Sequence, residues 1–147
     1  MSRQYPDYPR VGVGAVIWKG GQVLLIRRAA PPRQGKWSLP GGMQHLGETL
    51  AEAIIREIKE ETGLEVRLGE VVAVVDLIER DAAGDVEYHF TVIDYEADWE
   101  TGEAIAGDDA AEAVWADPLH LSPFDLPRLQ QSVIAKALSR RRNSIVL

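Results

Sequence analysis

Residues 42–64 read GMQHLGETLAEAIIREIKEETGL, and the rest of the chain is organised around them. Within this stretch Glu57, Glu60 and Glu61 stand at i, i+3 and i+4. At about 100° per residue they share one helix face. Carboxylates packed together repel: at about 4 Å and an effective dielectric near 20, each pair costs roughly 4 kcal/mol. Folding alone does not favour that arrangement. A hard divalent cation does, because Mg²⁺ and Mn²⁺ take oxygen ligands and are drawn to clustered carboxylates. The alternative is a solvated acidic face, with Arg56 and Lys59 supplying local neutralisation.

The surroundings of the glutamates favour the metal. Gly42 stands six residues before Glu48, and Arg56-Glu57-Ile58 begins eight residues after it. Glu60-Glu61 and then Gly63-Leu64 complete the series. This spacing resembles the Nudix box, G-x5-E-x7-R-E-U-x-E-E-x-G-U with U aliphatic, and it agrees at every fixed position. At average residue usage such agreement arises by chance well below about one time in a million.

The helix of this stretch is expected to start near Gly47 or Glu48, because Glu48 suits the positive end of the helix dipole. Gly63 is expected to end it as a left-handed cap. Leu50, Ile54 and Ile58, spaced by four, are predicted to bury, with Ala51 and Ile55 beside them. The acidic face then flanks the apolar stripe, so one side of the helix grips the core while the adjoining side lines a cleft.

Upstream, residues 1–9 read as an extended arm, since Pro6 and Pro9 exclude helix. Val11–Trp18 is predicted to be a strand, Lys19-Gly20-Gly21 a turn, and Gln22–Ala29 the returning strand of a hairpin. Residues 30–35 form a loop, and Lys36–Pro40 is a short extended piece feeding Gly41-Gly42. Downstream, Val66–Arg80 is mostly β with a break near Gly69. A turn at 81–85 leads to a long strand, Val86–Ala97. Residues 101–109 form an acidic loop and Ala113–Ala116 a short strand. A C-terminal helix is predicted over Leu126–Arg142, leaving 143–147 as a tail.

At 147 residues the chain is expected to form a single domain, 1–147. An apolar content of 46% with 27% charged residues is that of a soluble globular protein. The absence of cysteine excludes disulfides and thiolate metal sites and fits a reducing, cytoplasmic location. The N-terminal MSRQYPDYPR lacks the apolar core of a secretory signal, and no run reaches the ~18 apolar residues of a membrane span. A net charge of −7 argues against a nucleic-acid binder. An acidic protein with a polyphosphate substrate needs local cations, either metal or arginine, to offset the repulsion.

The Nudix resemblance implies an α/β/α sandwich, with a mixed sheet and a loop–helix–loop catalytic motif. Mixed strands with one internal and one terminal helix agree with that class. It implies hydrolysis of a nucleoside diphosphate linked to another group, with Mg²⁺ or Mn²⁺ as cofactor and a small nucleotide as partner. Glu57, Glu60 and Glu61 are the expected metal ligands, by motif position and by their shared face. The family role of Arg56 is to hold Glu48 and orient the carboxylates; a direct catalytic role is the alternative. Gly41 and Gly42 are expected to allow close backbone approach to substrate.

Other positions carry two readings each. Asp108, Asp109 and Glu112 form a second acidic group, either a polar loop or a source of metal and base contacts. Glu112, ahead of Trp115, resembles an acid that many relatives place there, and it is the candidate for a metal or base role; Asp109 is a candidate substrate contact. Alternation sends Arg27 and Arg28 to opposite faces, with Arg28 resembling a phosphate partner. Trp37 either packs on the sheet or lines the cleft. His45 falls on a free position of the motif.

The overall pattern resembles the ADP-ribose pyrophosphatase branch, which implies ADP-ribose cleaved to AMP and ribose 5-phosphate. One group of such enzymes carries a proline roughly sixteen residues after the box, and none stands around Ile78, Glu79 and Arg80. Nucleoside triphosphates, including oxidised ones, are therefore the alternative substrates. A non-catalytic nucleotide sensor is the second alternative, although such modules often lose box glutamates and this chain keeps them. Relatives are often homodimers, and the strand 86–97 is the candidate edge for pairing across subunits.

Overall fold

The computed structural model describes residues 3–31, 33–107 and 110–145, with backbone alone at 144 and 145. Seven strands form one sheet: β1 (Arg10–Lys19), β2 (Gln22–Arg28), β3 (Trp37–Ser38), β4 (Gly41–Met43), β5 (Glu65–Arg80), β6 (Val86–Thr101) and β7 (Ala110–Ala116). The helices are α1 (Leu50–Thr62) and α2 (Arg128–Ile145). The path β3-β2-β1-β6-β5 is antiparallel except for the parallel pair β1 and β6.

The arrangement of β1 and β2 positions everything else. They pair only beside the two-residue turn Gly20-Gly21, at Trp18–Val23 and Lys19–Gln22. Beyond that point they part, and the segment after the next loop fills the gap. There β3 pairs with β2 at Ser38 and Trp37, and β4 pairs with β1 through Gly41, Gly42 and Met43. Ala15 N donates to Pro40 O at 3.0 Å, and Gln44 N to Val11 O at 3.1 Å. The chain thus leaves a fixed sheet position six residues before α1 begins.

Alternation along β1 sends Val13, Ala15 and Ile17 to one face, where they bury against Ala53, Ile54 and Ile58 of α1. Val16 and Trp18 face the other way, onto Val133, Ile134 and Ala137 of α2. The result is the expected α/β/α sandwich. Each of Ile54 and Ile58, fully buried, contributes roughly 1.5–3 kcal/mol.

The structure revises several expected boundaries. α1 starts at Leu50, not at Gly47 or Glu48, because Thr49 caps it. The Thr49 hydroxyl accepts from Glu52 N at 3.1 Å, and the Glu52 carboxylate accepts from Thr49 N at 3.0 Å. This reciprocal box satisfies two otherwise orphaned donors. At the other end Gly63 is left-handed (φ 75°) and donates to Lys59 O, as expected. Ile55 is 43% exposed, and Ala53 takes the buried place expected of it. The break near Gly69 is an irregularity in an unbroken β5, whose pairing with β6 shifts between Leu68 and Val71.

α2 runs on to Ile145, past the expected end at Arg142. The strand proposed as a pairing edge has no free edge, since β6 lies between β1 and β5. Among the described residues no helix is long and apolar enough to cross a membrane.

Replacing Thr49 by Ala removes one half of the box and should destabilise the protein by about 1 kcal/mol. Thermal denaturation should show a midpoint lowered by roughly 2–4 °C, with Thr49→Ser close to wild type. An unchanged midpoint in the alanine variant would mean that packing alone sets the start of α1.

Candidate active site

One guanidinium organises the acidic residues of the 42–64 segment. Arg56 Nε donates to Glu48 Oε2 at 2.6 Å and Nη2 to Glu48 Oε1 at 2.9 Å, a two-pronged grip. Its Nη1 donates to Glu57 Oε1 at 2.9 Å and to Glu60 Oε2 at 3.1 Å. Nη2 also reaches Met43 O at 2.8 Å, which ties the helix to the end of β4. Arg56 together with the His45 backbone N–H, which donates at 2.9 Å, holds the Glu48 carboxyl down to about 2. The same partners, Glu48 first, raise the Arg56 pKa, so the cation persists throughout the working pH range.

Glu61 sits apart from this knot. It is only 5% exposed, and its Oε1 accepts from Gly41 N at 3.1 Å. The two adjacent glycines are required by close approach rather than by backbone freedom. A β-carbon on Gly42 would overlap the Glu57 carboxylate, and one on Gly41 would overlap Val13 O. β4 therefore lies directly against the acidic face of α1. Its backbone and the carboxylates of Glu57 and Glu61 share one wall.

The donor set is all oxygen and all carboxylate, which suits a hard divalent ion. Glu57 and Glu60 take hydrogen bonds from the same nitrogen, and Gly42 leaves Glu57 the room it occupies. Among the described residues no three acidic or histidine side chains already converge as a ligand set. Glu60, whose side chain is 45% exposed, is the one with most freedom to turn inward.

On the other face of the sheet, under α2, lies a cavity of about 140 Å³. Val75, Leu77, Phe90 and Val92 form an apolar floor, and Leu129, Gln130 and Val133 of α2 cover it. Gly41 and Gly42 line it too, so the cavity and the glutamates share the β4 segment. Arg3, Arg28 and Arg33 contribute positive charge to its lining. Asp94 is buried in it, and desolvation pushes its carboxyl up to about 6.

The structure brings together Glu48, Arg56, Glu57, Glu60, Glu61, Gly41 and Gly42, and it sets Arg28 on the adjoining cavity. It does not bring Glu112 to this group. Glu112 stands opposite Arg27 in the β2–β7 ladder and accepts from it at 2.7 Å. Trp37 is likewise absent from the cavity lining. It packs edge-on against Phe124, with ring centroids 5.2 Å apart, in the core under α2. Asp109 lies outside the described residues. His45 meets Glu48 through its backbone: its N–H donates to Glu48 Oε1 at 2.9 Å, and its carbonyl accepts from Glu48 N at 3.1 Å.

Sequence reasoning missed Asp94, Gln130 and the arginines Arg3 and Arg33. The one available signal was phase: Asp94 continues the parity of Phe90 and Val92.

Burial of Asp94 has a consequence for stability. Its folded pKa lies above the ordinary 3.8, so the protonated form is the better accommodated one. Stability linked to this group is full below about pH 4 and is lost as pH rises through about 6. A rise from 3.8 to about 6 corresponds to a loss on the order of 2 to 3 kcal/mol. Asp94→Asn should therefore melt higher than wild type at pH 7.5, with the gap closing towards pH 4. Parallel melting curves across that range would show that the ionised carboxyl is not penalised.

The family model described as the NUDIX domain matches residues 8–137. An ADP-ribose pyrophosphatase of Methanocaldococcus jannaschii is 42% identical over 110 residues, or 75% of this chain. The match takes in 63% of that protein, so this chain spans less than two thirds of its relative's length. The CTP pyrophosphohydrolase of Escherichia coli is 30% identical over 133 residues, covering 85% of this chain and 92% of that protein. A MutT NUDIX hydrolase from Burkholderia pseudomallei superposes with a TM-score of 0.77 at 32% identity, over 88% of this chain and 98% of the other. With the domain matched over nearly its whole described length and each fixed position of the motif in place, this chain belongs to the Nudix family.

Proposed function

We propose that the protein hydrolyses the pyrophosphate linkage of a nucleoside diphosphate joined to a further group, and that ADP-ribose, cleaved to AMP and ribose 5-phosphate, is its substrate. The observation that carries this reading is the arrangement of the box glutamates, with Glu48, Glu57 and Glu60 gathered around Arg56 and Glu61 bonded to Gly41 N, against the same β4 backbone that lines an arginine-bearing cavity. The 42% identity to an ADP-ribose pyrophosphatase supports the choice of substrate.

Enzymes of this family generally need a divalent metal ion. Glu57, Glu60 and Glu61 are the residues that would hold it, as Mg²⁺ or Mn²⁺. Such an ion, when bound, neutralises phosphate charge and lowers the pKa of a coordinated water. The remaining work falls to the chain. Arg56 holds the Glu48, Glu57 and Glu60 carboxylates in place through hydrogen bonds, so that mutual repulsion does not scatter them. Gly41 and Gly42 leave the backbone bare where the diphosphate would approach. Arg28, with Arg3 and Arg33 near it, offers the positive charge that an overall −7 chain needs to attract a diphosphate. In the reaction a water oxygen bonds to one phosphorus and a proton passes to a carboxylate. The bridging P–O bond breaks, and its electron pair leaves with the second phosphate.

A nucleoside triphosphate is the second reading. The CTP pyrophosphohydrolase relative is matched over 92% of its length, and β5 carries no proline at Ile78–Arg80. A panel of ADP-ribose, CTP, dGTP and its 8-oxo form, with Mg²⁺ and with Mn²⁺, tests both. AMP release from ADP-ribose at the highest kcat/KM supports the first reading. Pyrophosphate release at higher kcat/KM from a triphosphate replaces it by the second.

Glu60→Gln and Glu61→Gln should each lower kcat by at least about 100-fold. They should also abolish the rise in melting temperature that wild type shows on adding Mn²⁺, since an ion bound only by the folded state stabilises it. Wild-type turnover in either variant would remove that residue from the metal site. Arg56→Ala strips a partner from three carboxylates at once. It should weaken Mn²⁺ binding and lower the melting temperature together; a variant unchanged in both would leave Arg56 without an orienting role.

A further inference from the structure

Asp94 is an acid where packing alone would place an apolar residue. It follows Phe90 and Val92 on the same face of β6, and its neighbours across the sheet are Gly14 of β1 and Ala73 of β5. It is 5% exposed, and its carboxylate has no hydrogen-bond or ion-pair partner among the described residues. Gly14 has made room for it: a β-carbon there would overlap Asp94 Oδ1. A carboxylate this buried without a partner is costly, and a ligand entering the cavity that Asp94 lines would supply one.

The shape around it specifies that ligand. Val75, Leu77 and Val92 below and Val133 above are apolar, which suits a flat aromatic ring lying between sheet and helix. Gln130 is held by Leu39 N, which donates to its Oε1 at 3.0 Å and leaves Nε2 facing no partner among the described residues. A carboxylate accepts hydrogen bonds only. An exocyclic amino group on a base donates them, whereas a carbonyl in its place presents lone pairs to lone pairs.

We propose that Asp94 reads the nucleobase of the substrate by accepting from its exocyclic amino group, so that the cavity takes amino-bearing bases in preference to their deaminated counterparts. This rests on the nucleotide-hydrolase reading above and adds a base specificity to it. ADP-ribose and the hypoxanthine analogue IDP-ribose differ at that amine, as do CTP and UTP. Leaving a buried polar partner unpaired typically amounts to a factor of about 10 to 100. Wild type should therefore favour the amino member of each pair by about that factor in kcat/KM, with the difference carried mainly in KM.

The test is run twice on the full chain. Turnover of the four nucleotides is measured with Mn²⁺, and binding of the same four is measured by calorimetry in EDTA. In Asp94→Asn the side-chain amide turns to present either its oxygen or its NH₂, so the amino-to-deaminated ratio should fall to within about 3-fold of unity in both assays. A residue with only a structural role would shift both members of a pair alike and leave the ratio intact. A wild-type ratio near unity, or one that survives in Asp94→Asn, overturns the proposal. Absence of turnover with every nucleotide overturns the hydrolase reading instead, while the binding ratios still decide the role of Asp94.

Discussion

Repulsion among carboxylates is the constraint this fold must meet. Glu48, Glu57 and Glu60 lie within hydrogen-bonding reach of one guanidinium, and without it they would push apart. Arg56 meets the problem with geometry rather than with charge alone. Its planar fork takes both oxygens of Glu48 and still has an Nη1 proton for Glu57 and Glu60, which a lysine ammonium would not offer in fixed directions. The bond from Nη2 to Met43 O makes the same cation a mechanical link, joining α1 to the strand that precedes it. Order in the acidic face and order in the 43–49 loop therefore stand or fall together.

That loop can be short and fixed because of how β1 and β2 separate. Pairing at the turn end alone opens a fork, and β3 and β4 occupy it. The segment feeding α1 is thus a strand on both sides of Pro40, not a floppy connection. Glycine at 41 and 42 then lets the helix face approach β4 until the Glu57 carboxylate occupies the space a side chain would fill. A cluster on one side of the sheet and a cavity on the other come to share the same three residues of backbone. A substrate whose phosphates lie near β4 can in this way reach both.

Much of this was legible because it is local. The spacing of Glu57, Glu60 and Glu61, the left-handed stop at Gly63 and the hairpin at Gly20-Gly21 each depend on neighbours within a few residues. The start of α1 was misread for an equally local reason: the acid at 48 suits a helix dipole, but the Thr49–Glu52 box satisfies two backbone donors and sets the boundary. What failed were inferences across the sheet. Glu112 reads from sequence as either a loop acid or a metal or base contact, and only the pairing of β7 with β2 puts Arg27 opposite it. The strand 86–97 looked like an edge until the parallel pairing of β1 enclosed it. Neither partner is close in sequence, and no periodicity announces it.

Asp94 belongs to the same category and carries the most information. In a single strand its alternation is unremarked, since one acid at the end of an apolar row reads as the place where the row reaches solvent. Only the pairing with Gly14 and the cover from α2 make it a buried charge. The sheet then contains two departures from good packing side by side, a glycine inside a central strand and, opposite it, an acid with no partner among the described residues, and each explains the other's shape but not its existence. Local rules broken without a local gain mark functional or strained sites. The box glutamates violate electrostatic economy in the same sense on the opposite face, and there the chain supplies Arg56 as compensation. At Asp94 no compensation stands among the described residues, so the base of a bound nucleotide is the partner that would complete it.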